Sequence, residues 1–290
     1  MQFHQIASIL VLAGYAAGQS LTQVNDFGSN PSGAKMFTYV PSNLQESPGV
    51  LLVIHHCQGT AQSMFQGTPY RGYADQSGAF MIVYPESPYS GTCWDVSSDA
   101  TLDRDGGANS EAIATMTRWA IEQYGANPEK VFMMGASSGA MMTNIMAATY
   151  PDLFNAAVVY SGVPHACFYT GTVNGWNSNC ANGLVDKTPE AWSQDVFDSY
   201  PNYDGARPRM RIYHGDADTT LAPANYRETI EQWAGVFGYD ANNPVSESPN
   251  DPQSGMTTRV YGDHLEGVLA AGVGHGFPNL GELDMAFFGL

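Results

Sequence analysis

Gly135-Ala136-Ser137-Ser138-Gly139 sets a serine among small residues in the order G-x-S-x-G. A strand-like run, Lys130 to Met134, precedes it, and a helical run through Met141, Met142 and Ile145 follows. This is the context of a nucleophile elbow, a sharp strand-to-helix turn that lifts a hydroxyl above the edge of a sheet. A helix beginning at the serine adds a dipole that favours negative charge developing there. Taken alone, the pentapeptide would also suit a glycine-rich turn. Its flanking elements favour Ser137 as a nucleophile.

A serine hydroxyl is a weak nucleophile at neutral pH and needs a base, itself oriented by an acid. His214-Gly215-Asp216-Ala217-Asp218 directly follows the strand Arg209 to Tyr213, in a loop at a strand's C-terminal end. Asp218 is the expected acid; Asp216 is its rival, with a turn-stabilising role as the plainer alternative. Of seven histidines, His4, His55 and His56 precede the serine, His214 belongs to its own turn, and His165 and His264 fall in no recognisable frame. His275, in Gly272-Val273-Gly274-His275-Gly276, follows the strand-like Leu265 to Ala271 and lies beyond Asp218 in the chain. It is the expected base. Acyl transfer also requires donors for an oxyanion. The N–H of Ser138 is one candidate, and Cys57, in the loop His55-His56-Cys57-Gln58-Gly59 after an early strand, is the other. His55 and His56 have no third ligand close in sequence, so they read as loop packing and no metal is expected.

The elements that must carry these residues alternate. Ala34 to Pro41, Val50 to His56, Phe80 to Tyr84, Val131 to Met134, Ala156 to Tyr160 and Met210 to Tyr213 read as strands. Val50 to Ile54 is apolar without alternation, as in a parallel strand covered on both faces. Glu111 to Tyr124, Ala140 to Tyr150 and Tyr226 to Phe237 carry helical periodicity. This is the pattern of a doubly wound, mostly parallel α/β sheet flanked by helices. Ala166 to Tyr203 breaks the rhythm and reads as an inserted loop region over the sheet. A single domain over residues 19–290 is expected.

Composition narrows the class. Eleven basic against 28 acidic residues give a formal charge of -17, a surface that repels nucleic acid and anionic membrane. A neutral substrate fits it better. Ile6 to Ala17 is apolar and ends in small residues, so residues 1–18 read as a secretory signal, and the chain as secreted and extracellular. Four cysteines in an oxidising compartment permit three pairings. Cys57 with Cys93 and Cys167 with Cys180 are expected, each tying one loop to a nearby one. No N-x-S/T sequon occurs.

Together these motifs resemble the fungal acetylxylan and feruloyl esterases of carbohydrate esterase family one, similar in turn to poly(3-hydroxybutyrate) depolymerase-type esterases. The matching residues are His55-His56-Cys57, Cys93-Trp94-Asp95, Gly135 to Asn144, Tyr160-Ser161-Gly162, Arg209-Met210, His214 to Asp218 and Gly272 to His275. The resemblance implies an α/β-hydrolase fold, a triad of Ser137, Asp218 and His275, no cofactor, and acyl groups on acetylated or feruloylated xylan as substrate. Many members continue into a cellulose-binding module, which is not expected in this sequence ending at Leu290. Acetyl is the favoured acyl group, because no feature demands a bulky acid; feruloyl is the alternative. Trp176, Tyr169 and Trp94 are candidates for the acyl slot, with packing as the plain reading of each. A polyester or lipid esterase, a serine peptidase and a non-catalytic sugar-binding homologue are remoter readings, and a monomer is expected.

Overall fold

The structure, a computed structural model, describes residues 20–290. The expected signal, residues 1–18, lies outside the described residues. Strands β1 (Thr22–Val24), β2 (Lys35–Tyr39), β3 (Gly49–Ile54), β4 (Phe80–Glu86), β5 (Val131–Ala136), β6 (Ala156–Tyr160), β7 (Arg209–Gly215), β8 (Ser246–Pro249), β9 (Met256–Gly262) and β10 (Leu265–Ala270) form one sheet. Their order is β1-β2-β4-β3-β5-β6-β7-β10-β9-β8. From β4 through β3, β5, β6 and β7 to β10, neighbours pair parallel. The outer strands pair antiparallel.

The residues of β3 explain the architecture. Every one is buried. Val50, Leu52 and Ile54 point into one core, and Leu51 and Val53 into the other. A strand apolar on both faces needs cover on both. The helices that follow provide it: α1 (Ala61–Gly67), α2 (Tyr70–Ser77), α3 (Asp99–Leu102), α4 (Asn109–Tyr124), α5 (Ser138–Thr149), α6 (Ser178–Ala181), α7 (Pro189–Asp198), α8 (Ala224–Phe237) and α9 (Gly281–Phe288). Ile113 of α4, Ile145 of α5, Trp192 of α7 and Trp233 of α8 pack with Val50 and Leu52. Phe65 of α1, Tyr70 of α2 and Phe288 of α9 pack with Leu51 and Val53. The sheet is therefore doubly wound, as the alternation in the sequence implied.

Two regions differ from the sequence reading. The segment Ala166 to Tyr203 is not loop throughout, for it contains α7. Thr188 caps that helix by accepting from the Ala191 N–H at 3.3 Å, Pro189 sits at its start, and fully buried Trp192 donates its indole N–H to Glu228 at 2.7 Å. Only Trp192, Ser193 and Val196 of its ten residues are buried, too few to impose a legible helical period. The hairpin β8–β9 was also not expected. All four residues of β8 are exposed, so hydrophobic alternation had nothing to mark. No helix among the described residues is long and apolar enough to cross a membrane.

Candidate active site

Ser137 stands between β5 and α5 with φ 54° and ψ -118°, a conformation that a non-glycine residue adopts only at cost. Its N–H donates to the Tyr160 carbonyl on β6 at 2.9 Å, and its own carbonyl accepts from Met141 at 2.9 Å, so both sides of the turn are fixed. The glycines of the motif are required by close approach. A Cβ on Gly135 would run into the Gly139 carbonyl and the Thr143 hydroxyl. One on Gly139 would strike the carbonyls of Ile54 and His55. The sharp turn thus depends on bare backbone at both positions.

The expected base and acid stand on adjacent loops at the C-terminal ends of β10 and β7. His275 Nε2 lies 2.8 Å from Ser137 Oγ, and its Nδ1 lies 2.7 Å from Asp218 Oδ2. An ionised carboxylate can only accept, so Nδ1 carries the proton and the neutral ring leaves Nε2 free to accept from Ser137. Asp218 is almost fully buried. Burial pushes its carboxyl up, but hydrogen bonds from His214, His275 and the N–H groups of Leu221 and Thr220 outweigh that and hold it far below the usual carboxylate range. The two N–H groups donate to Oδ1 at 2.9 and 2.8 Å. Asp216, the rival acid, does something else. It accepts the Gly272 N–H at 2.6 Å, while Ala217 N–H donates to the Val273 carbonyl at 3.0 Å. The acid and base loops are therefore stitched directly to one another. Gly215 allows this, since a Cβ there would overlap the Val273 carbonyl.

A cleft of about 860 Å³ opens over these groups. Cys57 and Ser138 both line it beside Ser137. Ser138 is the first residue of α5, so no i−4 carbonyl inside the helix accepts its N–H. The loop that carries Cys57 is held from several sides. A disulfide joins Cys57 to Cys93, Gln58 N–H donates to the Gly91 carbonyl at 2.7 Å, and buried His55 packs its ring 4.9 Å from that of Trp94. Burial lowers the pKa of His55. As a neutral ring it donates from Nδ1 to the His56 carbonyl at 2.8 Å and accepts the Ser87 N–H at Nε2, 3.0 Å away.

The three aromatic candidates separate. Trp176 is 59% exposed at the rim of the cleft, its ring edge-on to Phe168 at 5.1 Å. Trp94 reaches the cleft wall but is 1% exposed. Its indole N–H donates to the His55 carbonyl at 2.9 Å, and its backbone N–H to Ser138 Oγ at 2.8 Å. It clamps the two expected oxyanion donors' segments together, a role that burial imposes on a polar-edged ring. Tyr169 is not in the cleft. With Ala166 it lines a separate depression, although its neighbour Phe168 lines the cleft.

Sequence reasoning quoted Asp95 within Cys93-Trp94-Asp95 but gave it no role. It is fully buried and accepts from the N–H groups of Ser97 and Ser98 and from the Asn174 N–H, the last at 3.0 Å. Gly175 N–H donates to Ser97 Oγ at 2.7 Å. The stretch after Cys93 therefore anchors the insert residues that wall the cleft. A carboxylate directly after Cys93-Trp94 was the available signal. The second disulfide, Cys167–Cys180, is buried at the base of the insert. Elsewhere, Asp186, Glu228 and Glu231 come close enough together to hold a cation, but Arg227 pairs with all three.

Residues 35–244 match the family described as Esterase PHB depolymerase. The chain belongs to that esterase family. Among this esterase's relatives, the probable acetylxylan esterase A of Aspergillus fumigatus is 54% identical over 298 residues, 99% of this chain and 80% of its own length. The acetylxylan esterase A of Aspergillus ficuum is 52% identical over 289 residues, 99% and 94% of the respective chains. The solved structure of the acetyl xylan esterase from Aspergillus awamori superposes with a TM-score of 0.92 at 54% identity, covering 93% of this esterase and 99% of that chain. The apo form of Thermogutta terrifontis esterase 2, at 18% identity and a TM-score of 0.54, shares the fold.

Proposed function

We propose that this esterase is a secreted serine carboxylesterase that removes acetyl groups from xylan. The observation that carries this reading is the continuous chain Ser137 Oγ–His275 Nε2 and His275 Nδ1–Asp218 Oδ2, at 2.8 and 2.7 Å, opening into a cleft. Its members come from three separated loops, and a packing role needs no such alignment.

In the proposed reaction His275 takes the Ser137 proton as Oγ attacks the ester carbonyl. The N–H groups of Cys57 and Ser138 receive the oxyanion, each worth roughly 2.7–4 kcal/mol of barrier. His275 then protonates the departing sugar oxygen, and Ser137 is left as an acyl-ester. Water enters, gives its proton to His275, and attacks the acyl carbon; acetate leaves and Ser137 recovers its proton. Asp218 stays ionised throughout and stabilises the imidazolium. No cofactor enters any step.

The relatives named acetylxylan esterase A support acetyl over feruloyl as the acyl group. Two disulfides support an extracellular setting. Residues 1–18 as an export signal and residues 19–290 as one domain complete the proposal. Parallel assays on acetylated xylan and on methyl ferulate, with Ser137→Ala as blank, test it. Rapid acetate release with little ferulate is expected. Dominant ferulate release would overturn the acyl assignment, and near-normal activity in Ser137→Ala would overturn the triad.

A further inference from the structure

The insert borders two hollows. Phe168, Asn174, Gly175 and Trp176 line the cleft, while Ala166 and Tyr169 line a separate depression of about 250 Å³. Tyr169 is 48% exposed, yet it is not loose. Its N–H donates to the Ala166 carbonyl and its carbonyl accepts from Asn177 Nδ2, both at 3.1 Å. The buried Cys167–Cys180 disulfide braces the loop's base. An exposed aromatic ring on a fixed backbone has only its two side-chain torsions to lose on binding, a property of anchoring side chains.

The charge of this region is as informative as its shape. The molecule carries a formal charge of -17, but from Leu153 to Val185 there is no Asp, Glu, Lys or Arg. Residues 169–174 are thus an uncharged, exposed stretch on an acidic protein, and Tyr169 is its residue in the depression. The depression itself is charged: Asp99 and Asp103 line it from one side, and the insert's later residues add Asp198 and Lys187, the latter paired to Asp195 at 2.6 Å. A flat apolar ring beside carboxylates and one ammonium matches a sugar, which offers an apolar C–H face and a ring of hydroxyls that both donate and accept. A polyanion would meet the carboxylates, and an acyl chain would leave them unpaired.

We propose that the depression at Tyr169 is a second binding site, for a neutral polysaccharide chain that continues past the catalytic cleft over the insert. It rests on the reading that this esterase acts on a polysaccharide, and it extends that reading to how the polymer is held. A polymeric ester would use Tyr169, and a small aryl acetate would not reach it.

The experiment compares Tyr169→Ala and Tyr169→Phe with the unaltered protein on acetylated xylan and on a small aryl acetate. For Tyr169→Ala, KM on the polymer should rise about fivefold, the scale of one aromatic contact, with aryl acetate kcat/KM within about twofold. Tyr169→Phe keeps the ring and should stay near the unaltered protein on both. An unchanged polymer KM in Tyr169→Ala, or an equal fall on both substrates, overturns the site. A second readout does not depend on deacetylation. Ser137→Ala, with and without Tyr169→Ala, is run through gels containing deacetylated xylan. Retardation that weakens with Tyr169→Ala supports the site even if the acyl assignment fails, and no retardation in either overturns it.

Discussion

The cleft has two walls made in different ways. One is built at the ends of parallel strands. Ser137, Asp218 and His275 stand on short loops after β5, β7 and β10; hydrogen bonds from Ala217 and Gly272 tie the last two together, and the Ser137 turn is bonded to β6. The other wall is the insert, an irregular segment from Ala166 onward held by side-chain acceptors, chiefly Asp95 and Ser97, and by a buried disulfide. The first wall is rigid because the sheet fixes its spacing, and bond-making needs that precision. The second can vary without moving the sheet, so it suits substrate selection. Damage to the first wall should therefore appear in kcat, and damage to the second in KM.

The largest effect is expected from Asp218→Asn, which keeps the shape but offers His275 an amide that can impose the wrong tautomer. A fall in kcat of about 10⁴ on aryl acetate is expected, with KM little changed. A loss below tenfold would mean that Asp218 does not orient the base.

The two disulfides should sort by wall. Cys57 and Cys93 line the cleft and are partly exposed, while Cys167 and Cys180 are buried under the insert. The paired change Cys57→Ala with Cys93→Ala frees the loop of a proposed oxyanion donor and should lower kcat by roughly 10- to 100-fold. Removing Cys167–Cys180 should instead cost about 2–4 kcal/mol of stability in urea melts, with aryl acetate kcat nearly kept. The reverse outcome would undo the contrast.

Asp95→Asn tests the insert wall directly. It weakens a charge-assisted acceptor of the Asn174 N–H, and polymer KM should rise about three- to tenfold while aryl acetate kcat holds. Equal losses on both substrates would show that Asp95 supports the whole molecule and not one wall.

The smallest effect concerns α9, which follows the His275 loop. Its buried Asp284 accepts from the hydroxyls of Tyr70 and Tyr160 at 2.6 and 2.7 Å. Burial raises its pKa to about 6 despite these donors. The folded state then holds this proton more tightly than the unfolded chain, where the pKa is about 3.9. Its contribution is fully present below about pH 4 and is lost as pH rises through about 6. Asp218 has the opposite sign, since its depressed pKa stabilises above about pH 4 and that stability is lost on acidification. Asp284→Asn should flatten stability between pH 4 and 6, checked by thermal melts across that range. An unchanged slope would remove Asp284 as its source.

Much of the strand-end wall was legible in the residues. Gly135 to Gly139 announces the elbow because its conformation and close approach demand glycine, and a local demand leaves a local mark. The unbroken run of Val50 to Ile54 announces a central strand because burial on both faces allows no polar residue. The order of Ser137, Asp218 and His275 is a property of the chain itself. Asp95, the clamp role of Trp94 and the placement of Tyr169 outside the cleft left no comparable mark. Each depends on partners distant in sequence, such as Asn174 for Asp95 and Ser138 for Trp94. Helix α7 and the β8–β9 hairpin were hidden because few of their residues are buried, and burial is what writes periodicity into a sequence. Sequence alone determined the order of Ser137, Asp218 and His275 and the alternation of strands and helices that lines them up. Only the tertiary structure decided which aromatic faces the cleft, because side-chain direction follows from backbone turns stabilised across long sequence separations.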